Sequence, residues 1–79
     1  MTPNEIKQAL IEKGWENNGE TTASKVIGNK LFEYTTRNEA LDFYFIVESD
    51  KFEEFVLSVQ YPTLDRIEAL VYGLTGEKV

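Results

Sequence analysis

Four carboxylates, Glu48, Asp50, Glu53 and Glu54, crowd one short stretch of this chain. Carboxylates at such spacing can hold a hard cation, work as an acid–base pair, or meet a positively charged partner. The calcium loop of helix–loop–helix proteins needs oxygen ligands at alternate positions and a central glycine. Here Lys51 interrupts the run and no glycine is present, so metal binding is discounted. A glycosidase-like pair needs a sugar-sized cleft between its members, and a chain this short leaves little room for one. Two readings remain. One is a solvated turn that keeps a sheet edge from aggregating, and the other is a contact surface for a basic partner.

The rest of the chemistry-bearing inventory is thin. The 79 residues include no histidine and no cysteine. That removes the commonest general base, the commonest zinc ligand and the thiol nucleophile. Ser24, Ser49 and Ser58 have only carboxylates or lysines to activate them, and none sits in a nucleophile elbow. Gly28 lacks the partner glycines of a phosphate-binding loop. The expectation is a non-enzymatic protein with no cofactor. Lack of cysteine fits a reducing compartment, and Met1–Glu5 shows neither a basic nor an apolar leader region. No apolar run approaches the roughly 18 residues of a bilayer span. A cytoplasmic protein with no membrane contact is expected.

Net charge is −6. Positions 1–37 balance to zero, and most of the excess falls in 38–54, where Glu39 and Asp42 join the four acids above against Lys51 alone. The same stretch holds the most apolar run, Phe43-Tyr44-Phe45-Ile46-Val47. Such charge repels phosphate backbones and attracts basic surfaces.

Local signals give the elements that must position these residues. Thr2, Pro3 and Glu5 read as an N-cap, first-turn proline and capping-box partner. Ile6, Ala9 and Leu10 follow at helical spacing, and Gly14 suits the left-handed residue that ends the helix. Trp15 would fold back on that end near Leu10, or else serve an interface. Positions 16–22 are polar and turn-rich and read as a loop. Positions 23–27 and 30–35 flank Gly28-Asn29 as a hairpin. Leu41 to Glu48 alternates, with Leu41, Phe43, Phe45 and Val47 on one face and Asp42, Tyr44, Ile46 and Glu48 on the other. In Glu54 to Tyr61, Phe55, Leu57, Val59 and Tyr61 share one face and Glu54, Val56, Ser58 and Gln60 the other. A helical stripe also fits positions 52–59, but the β-branched content favours a strand. After Pro62 a second helix runs over 63–74, capped by Thr63 or Asp65.

The order is α-β-β-β-β-α. It predicts one domain over residues 1–79, an α+β two-layer sandwich whose antiparallel meander carries both helices on one face. Helix–sheet–helix order resembles the double-stranded RNA-binding domain in topology alone. That family grips phosphates with basic residues at a helix start, whereas the last helix here opens Thr63-Leu64-Asp65-Arg66-Ile67-Glu68. No nucleic-acid partner is expected.

Tyr44, Ile46 and Val56 fall on the open sheet face, with room for an apolar neighbour from the first hairpin. The expected function is a small acidic binding module. Glu48, Asp50, Glu53 and Glu54 would steer it to a basic protein surface, and Tyr44, Ile46 and Val56 would add apolar contact. One form is a phage or mobile-element inhibitor that sets carboxylates where a target expects phosphates. The alternative is a homodimer formed through the open sheet face.

Overall fold

The computed structural model describes residues 1–47 and 51–79, with side chains described at 1–46 and 57–79. Seven elements follow in order: α1 (Pro3–Glu12), β1 (Glu16–Asn17), β2 (Thr22–Ile27), β3 (Lys30–Thr35), β4 (Ala40–Val47), β5 (Lys51–Gln60) and α2 (Leu64–Thr75). The strands form one antiparallel meander in the order β1-β2-β3-β4-β5, and the sheet is not closed. The α+β architecture matches the expectation, with one strand more.

Helix α1 starts at the capping box. Thr2 Oγ1 accepts from the Glu5 amide at 3.2 Å, and Glu5 Oε1 accepts from the Thr2 amide at 2.7 Å. It ends in a Schellman motif. Gly14 donates to the Ile11 carbonyl and Trp15 to the Leu10 carbonyl, each at 3.0 Å, with Gly14 at φ 102°. This reversal drives Trp15 into the core, where it stands 6.4 Å from Phe32 between ring centroids. Trp15 is therefore a core residue, with no surface left for an interface role. In α2, Thr63 rather than Asp65 is the cap, accepting from the Arg66 amide at 3.2 Å, and left-handed Gly76 closes the helix.

The loop expected at 16–22 is partly a strand. Glu16 pairs with Ser24 and Asn17 with Ala23. Two polar residues carry no alternation to read, and they are ordered by pairing with β2. The buried Lys7 ammonium braces the loop beyond, donating to the Gly19 carbonyl at 2.6 Å.

Ile6 and Leu10 of α1 and Ile67 and Val71 of α2 close on Ala23, Ile27, Phe32, Tyr34, Leu41 and Phe43 in a single core. Cross-strand partners share a face. The pairs Ala23–Tyr34, Phe32–Phe43 and Tyr34–Leu41 therefore define the helix-covered side. Coverage stops short of the sheet's length. Phe45 and Leu57, both expected to line the core, are 37 and 47 % exposed. The helices span about 15 and 18 Å, against about 33 Å for the ten residues of β5. The Lys30 ammonium lies 5.0 Å from the Phe45 ring centroid and covers part of that end.

Two register shifts interrupt the β4–β5 ladder, between Phe43 and Tyr44 and between Phe45 and Ile46. The pairing of Tyr44 with Phe55 after Phe43 with Leu57 leaves Val56 as the extra residue, and Glu53 is extra in the second. Both are β-bulges on the edge strand, which break the strict alternation read from the sequence.

Candidate functional site

The open sheet face follows from register. Gly28 alone of the turn pair has positive φ (64°), the φ signs of a type II′ hairpin. That two-residue turn sets Ser24 opposite Glu33 and Val26 opposite Leu31. The four-residue turn at 36–39 then sets Glu33 opposite Asp42 and Leu31 opposite Tyr44. Two neighbouring rows result. One runs Glu16–Ser24–Glu33–Asp42–Ser58, and the other runs Val26–Leu31–Tyr44.

The first row carries three acids. Glu33 and Asp42 face each other directly across β3 and β4, an arrangement that costs stability in an isolated sheet. Neither forms an ion pair with a base among the described residues. The acids do not converge on a point that could hold a metal ion, and among the described residues no such group occurs.

The second row is the apolar neighbour expected beside Tyr44. Val26 is 55 % exposed, while Leu31, Tyr44 and Ile46 are half-buried. Tyr44 joins the two rows. Burial raises its phenol pKa above the usual value, the negative charges of Glu33 and Asp42 raise it further, and a hydrogen bond to Glu33 adds to the shift. Its hydroxyl thus stays protonated beside two carboxylates. The face offers acceptors in one row and apolar contact in the next, which suits lysine or arginine side chains whose stems lie along an apolar surface.

Of the residues singled out from sequence, Tyr44 and Ile46 lie on this face as expected. Glu48 and Asp50 fall outside the described residues, and so do the side chains of Glu53, Glu54 and Val56 on β5. Glu16, Glu33, Val26 and Leu31 were missed. Their signal was present: once Gly28-Asn29 is taken as a two-residue turn, counting outward puts Ser24 opposite Glu33 and Val26 opposite Leu31.

Among the described residues no helix is long and apolar enough to cross a membrane. Comparison with family models, with curated proteins and with solved structures finds no match.

Proposed function

We propose that this protein is a small non-enzymatic binding module that meets a basic protein surface through its open sheet face. The observation that carries the reading is the acidic row Glu16–Glu33–Asp42, with Glu33 and Asp42 opposed and unneutralised, beside the apolar row Val26–Leu31–Tyr44. A fold that keeps like charges opposed tolerates a local cost that a cationic partner would offset. The sequence-clustered acids Glu48, Asp50, Glu53 and Glu54 would add to the same field and speed encounter. A net charge of −6 supports a protein rather than a nucleic acid as partner, and an inhibitor presenting carboxylates in place of phosphates is one form of the reading. Absence of cysteine supports action in the cytoplasm.

Homodimerisation through the same face is the second reading, favoured by exposed Val26. It would bring two acidic rows together, which disfavours it.

The test is capture from lysate of the source organism with wild-type protein, a Glu33→Gln/Asp42→Asn variant and a Tyr44→Ala variant. A basic protein held by wild type in low salt, and lost from both variants, is the expected result. Equal capture by all three overturns the proposal. Recovery of the chain alone, with a salt-insensitive dimer in sedimentation, transfers support to the second reading.

A further inference from the structure

A cavity of about 390 Å³ opens where the first turns of α1 and α2 meet the end of the sheet. Ile6, Tyr34, Glu39, Tyr61, Leu64 and Asp65 form most of what matters in its wall. It belongs to neither surface discussed above. Ala40 pairs with Gln60 at this end of β4, whereas Val47 pairs with Lys51 at the other, roughly 23 Å away along the strand. Its volume lies within the roughly 300–1,000 Å³ range of small-ligand sites.

Three features of the wall define what fits. Tyr34 is 1 % exposed, yet its hydroxyl makes no hydrogen bond among the described residues. Among the described residues Trp15 Nε1 is the one fully buried side-chain polar atom without a partner, so the little surface Tyr34 keeps leaves its hydroxyl open to the cavity it lines, free to bond a ligand there. Glu39, half-buried, brings its carboxylate close enough to raise the pKa of that phenol, after the larger effect of burial. Asp65 adds a second carboxylate; no lysine or arginine lines the cavity, and the α-ammonium of Met1 at its wall acts on the Glu5 carboxylate, whose charge answers it. The two helix N-termini oppose this with about half a positive charge each, already answered in part by the Thr2 and Thr63 caps. Two full carboxylates outweigh them. Ile6 and Leu64 supply apolar wall, and Tyr61, 73 % exposed, offers an aromatic face at the rim.

We infer that this cavity is a binding site for an organic cation with a short apolar stem, an alkylammonium or guanidinium group. The charged head sits by Glu39 and the Tyr34 hydroxyl, with Asp65 closing the field, and the stem lies against Ile6 and Leu64. The same chemistry comes from a free amine or from a lysine side chain of a partner.

Amide shifts in ¹⁵N-labelled full chain test this with four probes: butylammonium, butanol, butyrate and the blocked tripeptide acetyl-Gly-Lys-Gly-amide. Butylammonium is expected to shift Tyr34, Glu39, Tyr61 and Leu64 with a dissociation constant of about 1–10 mM. Butanol should bind about fivefold more weakly or worse, and butyrate not at all. Glu39→Gln and Tyr34→Phe should each weaken butylammonium by about fivefold without altering the fold, since Tyr34→Phe removes only an unpartnered hydroxyl. Tighter binding of the tripeptide assigns the cation to a protein partner, and tighter binding of butylammonium assigns it to a free amine. Butanol or butyrate matching butylammonium overturns the inference, as do absent shifts with every probe at about 50 mM. Glu33→Gln/Asp42→Asn should leave these shifts intact, so the cavity and the sheet face fail or stand separately.

Discussion

The Tyr61 amide donates to the Glu39 carbonyl across 2.6 Å, and both residues hold left-handed backbone, at φ 53° and 47°. Side chains other than Gly and Asn rarely rest there. The hydrogen bond ties together the ends of the turn before β4 and the segment after β5, and so holds the cavity mouth in one geometry. A left-handed residue costs about 1–2 kcal/mol, and the extra freedom of an unfolded glycine takes back roughly half of any relief. Glu39→Gly should therefore stabilise the protein by about 0.5 kcal/mol against urea. Glu39→Val should destabilise it by about 1 kcal/mol or more. Loss of stability in the glycine variant would show that the Glu39 side chain contributes more than its backbone costs.

Gly14 offers a cleaner backbone test. An added methyl would meet nothing closer than the Lys25 ammonium at 3.8 Å, so sterics with neighbours do not decide the outcome. Its φ of 102° does. Gly14→Ala should lose about 1–2 kcal/mol and loosen Trp15, seen as a lower urea midpoint and a red-shifted Trp emission. An unchanged midpoint would mean that the Schellman turn has another way to close.

These two positions also mark what could and could not be read in advance. Thr2, Pro3, Glu5, Gly14 and Trp15 act within one helix length of each other, so local chemistry predicts them correctly. Tyr44 and Ile46 were assigned to the open face by alternation alone. The bulges at Val56 and Glu53 were hidden, because an inserted residue breaks the very period used to find the strand. Phe45 and Leu57 were placed under the helices because alternation gives a face but says nothing of how far a helix reaches along it. The cavity joins Tyr34, Glu39, Tyr61 and Asp65 from four separate segments, and no spacing rule connects them.

Relief of the opposed carboxylates should raise stability while function falls. Glu33→Gln/Asp42→Asn is expected to gain about 0.2–1 kcal/mol in urea denaturation, because like charges directly across a sheet repel. A neutral or destabilising outcome would mean that the pair is already compensated, which removes the argument for a cationic partner.

Alkaline pH should act on the same face. The folded-state pKa of Tyr44 lies above its unfolded value near 10, with Tyr34 shifted the same way, so the folded chain holds its phenolic protons longer. That contribution is complete below about pH 10 and is lost as pH climbs through the folded values. Urea stability should decline over that window. The decline should be shallower in Glu33→Gln, where one of the charges opposing the Tyr44 phenolate is gone. Equal slopes in the two proteins would refute the assignment.

Every strand of the meander pairs with its neighbour in sequence, so each ladder can zip after closing a short loop. Helix α2 must find partners far back along the chain, where Ile67 and Val71 meet a core begun at Ile6 and Leu10. Topology thus divides assembly into a fast local stage and one late docking event. Val71→Ala should then speed unfolding far more than it slows folding, whereas a Phe32→Leu change at the strand junction should slow folding itself. That pair of outcomes, read from folding and unfolding rates in urea, would make the order of the elements a timetable, with the sheet first and the second helix last.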